Sequence, residues 1–155
     1  QLSHPNIVRI YDFGELHGNP FFAMELLRGH PLEHDTFGAF VIAVWLIEQG
    51  ADALAYLHDR ALFHRDLKPA NCVVTGERRL VLLDFGLART RDSTLLTGEG
   101  AVVGTLRFIA PEVFNGLPAE GPADVYALGL IAHELLSGES AVRPGSRRTR
   151  PSMPR

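Results

Sequence analysis

Three side chains of complementary chemistry fall within six residues of one another: the carboxylate of Asp66, the ammonium of Lys68 and the amide of Asn71, in the run His64-Arg65-Asp66-Leu67-Lys68-Pro69-Ala70-Asn71. Pro69 fixes its own φ and keeps Lys68 out of helical geometry, so the run reads as an ordered loop. A second carboxylate, Asp84, follows the apolar run Leu80-Val81-Leu82-Leu83 and precedes Phe85-Gly86. An acid, a base and an amide followed by an Asp-Phe-Gly turn suit a polyanion and its divalent metal. Mg²⁺ prefers oxygen ligands, and a carboxylate plus an amide oxygen supply them.

Such a loop has to be carried by regular elements, and the flanking sequence provides candidates. Ile7 to Phe13 and Pro20 to Leu26 read as two strands joined by the turn-rich Gly14–Asn19, a hairpin. Arg28-Gly29-His30-Pro31-Leu32 breaks the second strand and starts a short helix. Thr36 to Asp59 reads as the long helix of the chain, with Phe40, Val44, Ile47, Ala51, Leu54 and Leu57 on one apolar face. Gly50 weakens that helix by up to about 1 kcal/mol relative to Ala. Trp45 and His58 read as packing residues rather than ligands. Cys72-Val73-Val74-Thr75 and Leu80 to Leu83 form a second hairpin around Gly76-Glu77-Arg78. A last helix opens near Asp124, runs to about Leu136 and stops at Ser137-Gly138. In it, Glu134 reads as an ordinary helix residue.

Composition narrows the function classes. The chain has 155 residues, 46% hydrophobic and 21% charged, which suits about one globular domain with a real core. The net charge of −3 gives no reason to expect nucleic-acid binding. Residues 141–155 carry five arginines and no acid, whereas 1–140 balance at −8. That last stretch is rich in Arg, Pro and Ser and lacks large apolar residues, so it reads as a disordered basic tail. A single cysteine, Cys72, lies in an apolar run and fits a reducing, cytoplasmic setting. No signal peptide is visible, and the longest apolar stretch, Phe37 to Ile47, is short for a bilayer, so no membrane segment is expected.

The octet at 64–71 resembles the catalytic loop of eukaryotic-type protein kinases, and Asp84-Phe85-Gly86 resembles their metal-binding turn. Lys68 following Asp66 is the serine/threonine-kinase pattern. The resemblance implies an α+β, kinase-like fold: the end of a β N-lobe and hinge over 1–32, a partial and mainly helical C-lobe over 33–140, and the tail over 141–155. It implies ATP and Mg²⁺ as cofactors and a protein bearing Ser or Thr as partner. It makes Asp66 the acceptor of the substrate hydroxyl proton, places Lys68 near the transferred phosphate, and gives Asn71 and Asp84 the metal. Met24 falls at the gatekeeper position. Glu25 and Leu27 fall in the hinge, which meets adenine through backbone groups, and Val73 closes the adenine pocket from below. Asp84 to Glu112 resembles an activation segment, with Gly104-Thr105 and Ala110-Pro111-Glu112 as its closing marks. In that reading Thr105 bridges Asp66 and Lys68, and Asp124 accepts backbone N–H groups of the catalytic loop. His64 packs under Phe85. Arg65 pairs with a phosphate on the segment, for which Thr97 is the first choice.

The resemblance covers about 1–140 and lacks the Gly-rich phosphate loop, the strand lysine, its helix glutamate and the late arginine that pairs with Glu112. The expectation is therefore a fragment, inactive alone, of an active serine/threonine kinase. Two other readings stay open. A small-molecule phosphotransferase of the aminoglycoside-kinase type shares the Asp…Asn…Asp skeleton, against which Lys68, Thr105 and Ala110-Pro111-Glu112 count. A non-catalytic kinase-like interaction module would bind nucleotide without turnover.

Overall fold

His17 and Gly18 both adopt positive φ, 52° and 80°. A two-residue turn of this kind matches the twist of antiparallel strands. It closes β1 (Ile10–Leu16) onto β2 (Asn19–Met24), with Phe13 opposite Phe22 and Gly14 opposite Phe21. A bulge between Ile10 and Asp12 bends the first strand. The structure, a computed structural model, describes residues 2–32, 40–84 and 107–138. The expected tail, the Thr36–Gly38 start of the long helix, Phe85, Thr97 and Thr105 lie outside them.

The second sheet has three antiparallel strands in the order β3 (Gly29–Pro31), β4 (Cys72–Thr75), β5 (Leu80–Leu82). β3 corrects the sequence reading, in which Gly29 and Pro31 ended a strand and began a helix. Tertiary pairing decides the matter: Gly29 lies opposite Thr75 and Pro31 opposite Val73, and Pro is tolerated because this is an edge strand. Gly29 is required by proximity, since a Cβ there would stand 2.3 Å from the Val74 carbonyl oxygen. The chain before β1 joins the same sheet. Val8 N–H donates to the Leu82 carbonyl at 3.0 Å, and Leu82 N–H donates to the Asn6 carbonyl at 2.9 Å.

Two helices pack on this sheet. α1 (Phe40–His58) buries Ala43, Leu46, Gly50, Ala53, Leu54 and Leu57. The stripe is rotated from the one read in the sequence: Phe40 is 70% exposed, and Val44 and Trp45 are also exposed. The helix is apolar around most of its circumference, so periodicity alone does not say which side faces the core. By length and composition alone α1 is also long and apolar enough to cross a membrane, at 19 residues and a mean hydropathy of 1.4. In the fold it crosses α3, a helix of Gly121–Ser137, with Gly50 at the contact. A Cβ at Gly50 would lie 3.1 Å from Leu128 and 3.3 Å from Leu80, so the glycine that weakens the helix locally permits its close approach. α2 (Pro111–Phe114) is a single turn beside the start of α3. Gly138, at φ 70°, caps α3 by donating to the Glu134 carbonyl.

The core runs from Ile7 and Val8 through Leu46, Leu57, Leu67 and Leu80–Leu82 to Phe108 and Ile131. A polar tie crosses it. The Asn6 amide donates to the Gln49 side-chain oxygen and to the Leu80 carbonyl, both at 2.7 Å, and the same Gln49 oxygen accepts the Leu80 N–H at 3.0 Å. The segment before β1, α1 and β5 are thereby fixed to one another.

Gly29→Ala should lower the urea midpoint of unfolding by the equivalent of about 1–3 kcal/mol, the usual penalty for overpacking. Gly76→Ala, where a Cβ meets nothing within 4 Å, should shift it far less. Equal shifts in the two variants would show that the close approach of β3 to β4 is not what requires a glycine.

Candidate active site

The loop 64–71 leaves α1 through a turn at Ala61, whose φ is 54°, and ends in a 3-10 turn at Pro69–Asn71. Lys68 is fully extended (φ −161°, ψ 161°), as a residue before proline must be. The Asn71 N–H then closes on the Lys68 carbonyl at 2.9 Å. This folding brings the three chemical groups together. Lys68 Nζ donates to Asp66 Oδ2 at 2.9 Å. Asn71 Nδ2 donates to the same oxygen at 3.1 Å and to the Asp66 carbonyl at 2.8 Å. With its nitrogen committed to Asp66, Asn71 keeps its Oδ1 as an acceptor.

Asp84 reaches the same neighbourhood through the backbone. Leu83 N–H donates to the Asn71 carbonyl at 2.8 Å, so the residue after Leu83 leaves β5 beside Asn71. Asp84 is exposed and turns the chain in the left-handed region, at φ 50°. Asn71 Oδ1 and the Asp84 carboxylate are therefore oxygens available for a hard cation. That set fits Mg²⁺, which is commonly held by one or two protein oxygens plus substrate phosphates.

The loop is anchored from below by Asp124, which is 2% exposed. Its Oδ1 accepts the Arg65 N–H at 2.8 Å, and its Oδ2 accepts the His64 N–H at 2.8 Å and pairs with His58 Nε2 at 2.9 Å. Arg65 is in the left-handed region at φ 65°, a strained conformation for a non-glycine residue, and the two backbone bonds to Asp124 hold it there. Its side chain donates from Nε to the Ala119 carbonyl at 3.2 Å and lies over Phe63. His58, read in the sequence as a packing residue, is thus part of the anchor.

His64 is completely buried, and neither ring nitrogen has a hydrogen-bond partner among the described residues. Burial pushes its pKa below the usual imidazole value, outweighing the pull of the Asp124 and Asp66 carboxylates and a weak contribution from the Leu83 backbone. Cys72, next to Asn71, is also fully buried, and burial pushes its thiol up to about 12. It therefore holds a neutral, inert sulfur beside the site.

Other residues singled out in the sequence lie in the neighbouring elements. Glu25 and Leu27 follow β2 and line a hollow with Thr75, Gly76 and Arg79. The Glu25 N–H is taken by the Arg9 carbonyl at 2.9 Å, whereas the Glu25 carbonyl and the Leu27 N–H have no backbone partner among the described residues. Val73 is nearly buried, opposite Pro31 on one side and Val81 on the other. Glu112 sits in the first turn of α2, with no ion pair among the described residues. A cavity beside the loop is lined by Asp66 and Lys68 on one wall and by Phe108, Ile109 and Ala110 on the other.

Comparison with known sequences gives the class. The protein kinase domain profile matches residues 1–152, so the chain belongs to the protein kinase family. The match runs past residue 140, where the recognisable motifs end. Among its relatives, the serine/threonine-protein kinase PknJ of Mycobacterium tuberculosis is 39% identical over 152 residues, covering 94% of this chain and 26% of its own. PknB of Mycobacterium leprae is 35% identical over 147 residues, covering 89% and 24%. The probable kinase pknA2 of Bifidobacterium longum is 33% identical over 142 residues, covering 89% and 19%. The chain thus spans about a quarter of the length of the curated relatives it matches.

Asp124→Ala should destabilise the chain by about 3 kcal/mol, because it strands two buried N–H donors and releases Arg65 from its strained backbone. Asp124→Asn should cost less, since an amide oxygen can still accept one of those bonds. Urea unfolding of both variants measures the difference, and equal, negligible shifts would contradict the anchoring role.

A pH dependence follows from His64. The unfolded imidazole binds its proton near pH 6.5, while the folded one resists it, so the unfolded state holds more protons just below that pH. Stability should rise with pH across this window and be lost as the pH falls. His64→Phe should remove part of that loss between about pH 7.5 and 5.5. Part should persist, because burial also lowers His4 in the same direction. An unchanged pH profile in His64→Phe would refute the assignment.

Proposed function

We propose that this chain carries the phosphoryl-transfer centre of a serine/threonine protein kinase, which moves the γ-phosphate of ATP to a Ser or Thr hydroxyl of a protein. The observation that carries the reading is the shared oxygen of Asp66, held by Lys68 at 2.9 Å and by Asn71 at 3.1 Å. One carboxylate oxygen is thereby fixed, and the other remains to orient the acceptor hydroxyl and take its proton. The Lys68 ammonium, already tied to that carboxylate, is placed to meet negative charge on the group in transfer. Asn71 Oδ1 and the Asp84 carboxylate would hold Mg²⁺, whose role is to neutralise charge on the phosphates. The Glu25 carbonyl and the Leu27 N–H would meet the adenine edge, with Val73 beneath the ring. Phosphoryl transfer asks a protein mainly for positioning and electrostatics, and this loop offers both.

Lys68 and Ala110-Pro111-Glu112 favour a protein substrate over a small-molecule acceptor, and the names of the relatives agree. A reducing, cytoplasmic setting belongs to the same proposal and rests on Cys72.

The test joins the chain to a phosphate-binding half that carries the family's glycine-rich loop, strand lysine and helix glutamate. That protein should phosphorylate a Ser/Thr peptide and not an aminoglycoside. Asp66→Asn should lower turnover by about 10²–10⁴-fold, the range for loss of a general base, with nucleotide affinity little changed. Near-normal turnover in Asp66→Asn, or transfer to the aminoglycoside alone, would defeat the reading.

A further inference from the structure

Two hollows meet where the segment before β1, the link from β2 to β3 and the β4–β5 turn come together. The larger, about 380 Å³, lies between Glu25–Arg28 and the turn residues Thr75–Glu77 with Arg79. The smaller, about 140 Å³, lies between Leu2–Pro5, Arg9 and the same Glu25 and Arg79. None of Asp66, Lys68, Asn71, Val73 and Asp84 lines either one. The two shared residues are held in place. Arg79 Nη1 donates to the Pro5 carbonyl at 2.7 Å, and Glu25 Oε1 accepts the Arg9 N–H at 3.0 Å. Arg9 and Arg28 are exposed, and neither guanidinium has a partner among the described residues. Leu26, on the larger hollow, is 88% exposed, the most of any large hydrophobic residue among those described. Three of the chain's 15 basic residues border this region, against two of its 18 acids. It is therefore locally positive on a chain whose net charge is −3.

We propose that this paired hollow is a docking site for an acidic, extended segment of a partner protein, whose carboxylates meet Arg9, Arg28 and Arg79 and whose apolar side chain covers Leu26. The site is separate from Asp66 and does not rest on the catalytic reading. Charge sets the sign of the occupant, and shape sets its kind. Two joined hollows exceed the size of a single small anion and suit a chain that passes from one to the other. A guanidinium presents a planar fork of donors to a carboxylate, and one already oriented, as Arg79 is, loses less freedom on binding. Nucleic acid fits less well. Its evenly spaced phosphates would also face Glu25 and Glu77, whereas a peptide can place uncharged residues there. The arginine-rich stretch 141–155 has the wrong sign to fill the site from within the chain.

Fluorescence anisotropy on the full chain tests the site without requiring activity. The probe is a labelled peptide of alternating Glu and Leu, set against Gln/Leu and Lys/Leu counterparts and a single-stranded oligonucleotide of equal charge. The Glu/Leu peptide should bind saturably and the other three should not. Its binding should weaken with salt, because exposed charges are screened beyond about 10 Å at 0.1 M. Arg9→Gln, Arg28→Gln and Leu26→Ser should each weaken it several-fold. Arg60→Gln, which removes the same charge outside both hollows, should leave it unchanged. On the unmodified chain, peptide should move the amide resonances of Leu26–Arg28 and Thr75–Arg79 and spare those of His64–Asn71, a readout that no variant's folding can confuse. Absence of saturable binding by the Glu/Leu peptide overturns the proposal. So does an equal loss in Arg60→Gln, which would mark attraction to charge in general, and so does a preference for the oligonucleotide. Displacement of the peptide by adenosine would place the hollow in a nucleotide site and overturns it too; binding that persists in adenosine supports it.

Discussion

A single buried carboxylate holds the site in register. Asp124 would be expensive to bury as an isolated charge, and three donors compensate it: two backbone N–H groups and one imidazole. The compensation runs in both directions. The loop at His64-Arg65 adopts a left-handed turn that costs about 1–2 kcal/mol for a residue with a Cβ, and it is kept there by the acceptor that it helps to satisfy. Because Asp124 sits in the first turns of α3, the helix that crosses α1 also sets the height of Asp66 above the core. The chemistry is therefore referenced to a helix crossing and not to the loop's own sequence.

The parts of the molecule differ in how firmly they are held. Leu46, Leu57, Val81 and Leu82 are fully buried around the α1–sheet contact. The β1–β2 hairpin, by contrast, exposes Phe13 at 74% and Tyr11 and Leu16 at 62% each. It joins the rest through the Asn6–Val8 stretch on β5, and the Glu25–Arg9 backbone bond only closes its own base. A two-stranded ribbon with so little burial has marginal stability of its own. The loop 64–71 draws its order from the other side, from α1, α3 and β5, and does not depend on the hairpin.

Much of this was legible in the residues. Local chemistry announced the loop: Pro69 dictates an extended Lys68, and the hairpin at Cys72–Leu82 follows from apolar runs around Gly76. What could not be read depended on distant partners. Gly29-His30-Pro31 contradicts strand propensity and becomes a strand only because β4 offers it a ladder. The buried face of α1 was misread because Phe40, Val41, Val44 and Trp45 extend the apolar surface beyond the packed stripe. Gly50 looked like a local weakness until α3 was seen to cross there. Glu134 meets Arg107 across 27 residues, and a charge on a helix gives no sign of whether water or an arginine faces it.

The divided use of Asn71 has a consequence for which residues its position admits. One end of the amide is a donor committed to Asp66, and the other is an oxygen left to accept. An acid of the same shape would keep the oxygen and lose the donor. It would set two negative charges about 3 Å apart, close enough that one would have to take up a proton at neutral pH. The carboxylate meant to accept a proton would then compete for one with its neighbour. Amide chemistry at this position separates the two roles: it supplies an oxygen for a cation without adding a rival base.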